Sequence, residues 1–194
     1  MFFLVTLYTA CVGKDNKVSN AEESSIVIDN SNLKRYHKSE VFWGDGDSVR
    51  LISDSSLLNG VYFEEYENGS LLREDMIVDG VQHGFCRSYY KSGSKEWVGN
   101  WRFGRMHGDW MRYYENGFLM SIGQFYDGGI DGVAVDYYEN GQIKSETRFV
   151  SGKLHGESKG YYDDGLVNYV VKWDKGEIVK ETRWDTNGYI VTSD

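Results

Sequence analysis

The sequence "YYENG" occurs at residues 113–117 and again at residues 137–141. Near copies lie at 65–69, 89–93 and 161–165, so the motif recurs five times at intervals of 24 residues. A constant period of this length indicates a repeat architecture, in which each unit packs mainly against its neighbours. The period therefore decides the fold class.

Three columns of glycine follow the same period. The glycine that ends each motif copy defines position zero of its unit. A second glycine lies nine residues earlier and a third lies eleven residues later in all five units. The full units cover residues 60–179, with a degenerate unit at 36–59 and a partial unit at 180–194. The position-zero glycines, which we interpret as structural turn residues, are Gly69, Gly93, Gly117, Gly141 and Gly165.

Each unit contains two extended runs, such as "DWMRYY" at 109–114 and "LMSIGQFY" at 119–126. Asn-Gly between two such runs predicts a β-hairpin with a two-residue type I′ turn. That turn pairs position −3 with +2 and position −9 with +8, which places a large side chain opposite the −9 glycine. The sequence thus predicts an all-β fold, an elongated single-layer antiparallel β-meander built of 24-residue hairpin repeats.

The predicted register places the tyrosines at position −3 on an apolar face, where Cys86 is a small packing residue. The opposite face is expected to be more polar, except for a row of tyrosines at position −4. Tyrosine is rigid, amphipathic and enriched in binding surfaces, so this row is a candidate protein-binding site. The alternative, that the row only covers backbone, stays open. The row comprises Tyr89, Tyr113, Tyr137 and Tyr161.

Composition narrows the function classes. The net charge of −9 argues against nucleic acid or an anionic lipid surface as the main partner. No arrangement of nucleophile, base and orienting group is visible, so we expect neither an enzyme nor a cofactor. His83, His107, Asp131 and His155 share position −10, but equivalent positions lie about 9–10 Å apart, too far to share one metal ion. We interpret this row as turn residues.

The first ten residues, "MFFLVTLYTA", are apolar and precede Cys11. This segment resembles a bacterial lipoprotein signal, in which the cysteine after a small residue is lipidated. We therefore predict a signal segment at 1–11, lipidation of Cys11, and a polar tether at 12–35. The only expected membrane contact is this lipid anchor, at the cell envelope. The alternative is a first β-strand in a cytoplasmic protein.

The three glycine columns, the Tyr-Tyr-Glu-Asn-Gly motif and "GKLHG" at 152–156 resemble the MORN-repeat variant family. The resemblance implies β-hairpin arrays that bind proteins or act as scaffolds, and its bacterial members are described as antitoxin-like. We therefore expect a non-enzymatic module that binds a protein partner of unknown identity. The alternatives are a cytoplasmic antitoxin-like protein that neutralises a toxin, and a wall-binding module.

Overall fold

A computed structural model describes residues 33–193, and its regular structure is almost entirely β-strand. The helical elements in this range are two 3-10 turns, Lys38–Glu40 and Asp45–Asp47. No helix in this range is long and apolar enough to cross a membrane. The strands are β1 Arg35–His37, β2 Val41–Trp43, β3 Val49–Leu51, β4 Gly60–Glu65, β5 Leu71–Val78, β6 Val81–Tyr89, β7 Lys95–Arg102, β8 Arg105–Met106, β9 Gly108–Tyr113, β10 Leu119–Tyr126, β11 Gly129–Ile130, β12 Gly132–Tyr137, β13 Ile143–Val150, β14 Lys153–Tyr161, β15 Val167–Asp174, β16 Glu177–Trp184 and β17 Ile190–Ser193.

From β4 onward the strands follow one another through a single sheet in chain order. Each pairs antiparallel with the next, and the short strands β8 and β11 extend the pairing of β7 and β10. Among the strands of the described range, β1, at one end of this sheet, alone pairs in parallel, with β4. The predicted all-β series of consecutive hairpins is confirmed.

Residues 36–59 do not repeat the hairpin of the later units. The strands β2 and β3 form a separate two-stranded sheet. Val41, Val49 and Leu58 from this segment are buried together with Tyr62 and Ile77 of the first full unit. The segment therefore covers the first hairpin and supplies an apolar core that a single sheet layer does not make for itself.

The turn at the Glu-Asn-Gly motif differs from the prediction. Gly117 donates to the carbonyl of Tyr114 at 2.9 Å, while Tyr114 donates to the carbonyl of Phe118 at 2.8 Å. Gly117 has a φ of 87°, and Asn116 is not among the positive-φ residues. This geometry is a type I turn followed by a glycine bulge. The Asn116 side chain accepts a hydrogen bond from the Phe118 N–H at 3.1 Å, which stabilises this three-residue loop. The predicted type I′ turn at this motif is wrong.

Type I′ turns are present at the other end of each hairpin. Val78 pairs with Val81, and the two residues between them, Asp79 and Gly80, have φ values of 49° and 76°. The other four units repeat this pattern, in which the residue before the +11 glycine is also left-handed: Phe103, Asp127, Ser151 and Lys175.

The pairing of −9 with +8 is confirmed, as in Gly108 with Phe125. The backbone conformation, and not the large side chain opposite, requires glycine at position −9. Gly108 has a φ of 84°, and no heavy atom lies within 4 Å of an added Cβ. The pairing of −3 with +2 is wrong. A bulge next to the turn pairs position −4 with +2 instead, as in Tyr113 with Leu119.

The second tyrosine of each motif links neighbouring units. The hydroxyl of Tyr114 donates to the backbone carbonyl of Tyr137, the position −4 residue of the next unit, at 2.7 Å. Tyr66, Tyr90 and Tyr138 make the same bond at 2.7–2.8 Å. Each hydroxyl therefore adds a side-chain hydrogen bond between two consecutive hairpins, beyond the pairing of their strands.

We expect Tyr114→Phe to lower the free energy of unfolding by about 0.5–1.5 kcal/mol, because it removes one inter-unit hydrogen bond. Tyr113→Phe is the matched control, since its hydroxyl donates to the weak acceptor Sδ of Met111, at 3.4 Å. Urea denaturation of both variants measures the difference. Equal losses would contradict a special role for the second tyrosine.

Candidate functional site

The two faces of the sheet are defined by alternate residues of β9. Trp110 and Arg112 lie on one face, which we call the Trp110 face. Met111 and Tyr113 lie on the other, the Met111 face. Each face continues across the sheet through directly paired residues, so the pairing register identifies the surface that every strand contributes.

An apolar column crosses the middle of the Met111 face. Four residues on four successive strands of the sheet pair directly in turn: Val98 with Met111, Met111 with Ile122, and Ile122 with Val135. All four are partly exposed. Tyr113 and its partner Leu119 lie beside this column, on the side of the Glu-Asn-Gly turns. We call these six residues the Met111 strip.

The Met111 face, expected to be the more polar one, is therefore apolar at its centre, at positions −6 and +5, which the predicted register already pairs, as in Met111 with Ile122. The bulge beside each turn moves the apolar +2 residues onto this face, as the pairing of Leu119 with Tyr113 shows. It also moves position +3 to the Trp110 face, where Glu96 contacts Arg112 at 3.5 Å. The bulge thus places the apolar +2 residue on the Met111 face and the polar +3 residue on the Trp110 face.

Charged residues bound the column at both ends. Glu74 and Arg87 continue it past Val98, and Glu146 and Lys159 continue it past Val135. The Met111 strip is therefore a limited apolar area between charged groups, which is the usual arrangement of a specific protein-binding surface.

Glu74 is 4% exposed and accepts three hydrogen bonds. Arg35 donates at 2.8 Å, and Arg87 and Tyr89 donate at 3.0 Å each. Burial opposes ionisation of Glu74, but the bonds from Arg35, Tyr89 and Arg87 outweigh it and hold the pKa of this carboxyl below its ordinary value. Because Arg35 belongs to β1, the network also ties that strand to the array.

The predicted tyrosine row lies on the Met111 face as one column, but its members are half-buried rather than fully exposed. Tyr89 donates to Glu74, and Tyr161 donates to Glu146 at 2.9 Å. Burial and the bond to Glu146 raise the pKa of Tyr161. Tyr113 and Tyr137 lie between these two, beside the apolar column. The ends of the row therefore contact carboxylates, whereas its middle borders the apolar column.

Aromatic rings cover bare backbone on the Trp110 face. The indole of Trp110 lies over its cross-strand partner Gly123, and the ring of Tyr169 lies over Gly160. Cys86 is buried there as a packing residue, and burial together with Asp75 raises the pKa of its thiol to about 12. A reactive cysteine requires the opposite shift.

Side chains of the position −10 row stabilise the type I′ turns by hydrogen bonds. Asp131 Oδ2 accepts a hydrogen bond from the Ser151 N–H at 2.9 Å, and His83 Nδ1 accepts one from the Phe103 N–H at 3.4 Å. Each bond reaches the left-handed residue of a type I′ turn. Within residues 33–193, no group of three or more His, Cys, Asp or Glu side chains could hold a metal ion.

A comparison with protein families supports the fold. The model described as "MORN repeat variant" matches residues 106–127 and 130–150, which lie in the middle of the array. The chain is thus similar to that family over two of its units. A comparison with curated proteins finds no match. Cys11 and nearly all of the predicted signal and tether lie outside the described residues, and the antitoxin-like assignment stays a prediction.

We expect Glu74→Gln to lower the free energy of unfolding by about 1–3 kcal/mol at pH 7, because it weakens three buried hydrogen bonds to a charged group. The pKa of Glu74 is lower in the folded than in the unfolded chain, so its contribution is present above pH 4.5 and is lost as pH falls through the folded-state pKa. Urea denaturation from pH 7 to pH 3 should therefore show the two proteins converging. A difference that stays constant would contradict this network. Glu115→Gln, at an exposed position, is the control.

Proposed function

We propose that this protein is a non-enzymatic scaffold that binds a protein partner through the Met111 strip. The observation that supports the proposal most directly is the continuous apolar column of Val98, Met111, Ile122 and Val135 on a sheet face that no second layer covers within residues 60–193. A sheet with an apolar face normally buries it against another element. Here the partner supplies that element.

The shape of the strip suits an amphipathic α-helix. Four strands at about 4.8 Å spacing give a column about 14 Å long, which matches roughly ten helical residues at 1.5 Å each. The apolar stripe of such a helix would lie on the column. Tyr113 and Tyr137 would border one side of the helix and contribute rigid rings with hydroxyls that stay in contact with water. Arg87 borders one end of the column and Glu146 the other, so charges of opposite sign face the two ends of the helix and select its orientation.

Site-specific photo-crosslinking in the producing cell tests this function. A benzophenone-bearing phenylalanine analogue replaces Tyr113 in one variant and Phe149, on the Trp110 face, in the matched control. We expect one defined protein adduct at position 113, little or none at position 149, and loss of the adduct at 113 when Met111→Glu is added. The expected loss is at least tenfold, since a charge would be buried without a partner.

An equal adduct at both positions, an adduct that survives Met111→Glu, or no adduct at position 113 would contradict the proposal. Thermal denaturation of the Met111→Glu variant shows whether the fold is kept. Should that variant unfold, Ile122→Lys replaces it. Identification of the adduct also tests the antitoxin-like alternative, because that alternative requires the partner to be a toxin.

We further propose that Cys11 is acylated and tethers the array to the cell envelope, on the basis of the apolar run that precedes it. One acyl chain holds a protein only weakly, so a stable anchor needs two or more chains. The full chain and Cys11→Ser are expressed in a bacterial host and separated into membrane and soluble fractions. We expect only the unsubstituted chain in the membrane fraction. A soluble protein with Met1 intact in both cases would overturn the tether.

A further inference from the structure

Phe103 has a conformation and an exposure that the fold does not require. It occupies the left-handed position of a type I′ turn with a φ of 49°, and it is 73% exposed. The equivalent residues in the other units are small or polar: Asp79, Asp127, Ser151 and Lys175. A bulky aromatic side chain is unfavourable in this backbone region, and exposure of the ring to water adds a further cost. The array would be more stable with Asn or Asp here.

A second exposed aromatic ring lies on the same row of turns. Tyr126 is 69% exposed and ends β10, one turn along from Phe103. A histidine supports each ring. The ring centroids of His83 and Phe103 are 4.9 Å apart, and those of His107 and Tyr126 are 5.3 Å apart. An open depression of about 330 Å³ lies between the two turns, lined in part by Arg102, Phe103, Arg105 and Tyr126. We call Phe103, Arg105, Tyr126 and the two histidines the Phe103 patch.

The Phe103 patch combines exposed rings with arginine on an acidic protein. The depression is lined by the arginines Arg102 and Arg105 and by the carboxylate of Asp127. Arg105 and Asp127 are 2.7 Å apart, and each side chain is 63% exposed. The chain as a whole has a net charge of −9. A surface that combines exposed rings with arginine matches a partner surface that combines apolar groups with carboxylates.

The opposite edge of the same array has that composition. The row of Glu-Asn-Gly turns exposes the carboxylates of Glu67, Glu115, Glu139, Asp163 and Asp164, against one lysine, Lys91. Two apolar side chains, Phe118 and Leu166, are 58% and 46% exposed on this row. We call this row the Glu115 edge.

The two rows also share one spacing, because both belong to the same repeat. Equivalent turns are two strands apart, about 9–10 Å, on either edge. Two neighbouring turns that carry Phe103 and Tyr126 can therefore meet two neighbouring turns that carry Glu115 and Glu139 without a mismatch.

We propose that the Phe103 patch of one copy docks on the Glu115 edge of a second copy. The row of type I′ turns of one array then contacts the row of Glu-Asn-Gly turns of the next. Such an interface joins two different surfaces and leaves one of each free, so further copies can add to the assembly. At physiological ionic strength the repulsion between two chains of net charge −9 is screened beyond about 8 Å, whereas contacts between the patch and the edge are not. The Met111 strip is not part of this interface and stays available to its own partner.

Sedimentation velocity of the full chain over a concentration series tests the interface. Phe103→Asn is the decisive variant, because Asn tolerates the left-handed region and lacks the ring. We expect it to weaken self-association at least tenfold while its melting temperature stays equal to or above that of the unsubstituted chain. Ser151→Asn makes the same replacement at the equivalent turn of another unit and should leave self-association unchanged.

Charge reversal identifies the two surfaces. Arg105→Glu alone and the double variant Glu115→Arg/Glu139→Arg alone should each lose self-association. An equimolar mixture of the two should regain self-association. The double variant keeps the native patch, and Arg105→Glu keeps the native edge, so these two surfaces can still pair. A chain that stays monomeric up to about 1 mM would overturn the proposal, as would association unaffected by Phe103→Asn or a mixture that fails to associate. None of these outcomes depends on the partner of the Met111 strip.

Discussion

The structure depends on one constraint, the left-handed backbone conformation that recurs at fixed positions in every unit. The position-zero glycine needs it to close a type I turn with a bulge, and the +11 glycine needs it to complete a type I′ turn. The −9 glycine needs it at a second bulge near the type I′ turn, as at Gly84, where the register of β5 with β6 shifts between the Asp75–Cys86 and Ile77–Gln82 pairs. Residues with a Cβ resist this region, so the three glycine columns mark where the chain changes direction or pairing. The 24-residue period follows from two strands, one three-residue loop and one two-residue loop.

The bulge beside each Glu-Asn-Gly turn also decides which side chains meet. It shifts the pairing by one residue, so that Leu119 lies opposite Tyr113 on the Met111 face rather than opposite Tyr114. A regular two-residue loop would have put the same leucine on the Trp110 face, and the Met111 strip would have lost part of its apolar border. The turn chemistry thus adds Leu119 to the border of the apolar column, whereas the column itself lies outside the shifted pairs.

Contacts between units are local and repeated, which makes the ends of the array different from its middle. Tyrosine hydroxyls join consecutive units along one edge, and position −10 side chains cap the turns along the other. A unit without a neighbour lacks one set of these contacts. The segment 36–59 meets this need at the first unit through its own sheet and the shared core around Val49, Leu58 and Ile77. Capping of this kind is general among repeat proteins.

The sequence by itself determined the period, the all-β class, the order of hairpins and the −9 to +8 pairing, because glycine columns and alternating apolar residues report directly on local backbone geometry. It also identified Cys86 and the position −10 row as structural. Only the tertiary structure decided the turn types, since Asn-Gly is compatible with a type I′ turn and with a bulged type I turn. The choice rests on hydrogen bonds such as Asn116 to Phe118 that a sequence pattern does not show. The tertiary structure likewise decided the faces of positions +2 and +3, because the bulge beside each turn moves the first to the Met111 face and the second to the Trp110 face. The apolar column lies at positions −6 and +5, which the predicted register already pairs, but its residues are separated in sequence and become one surface only when four strands lie side by side.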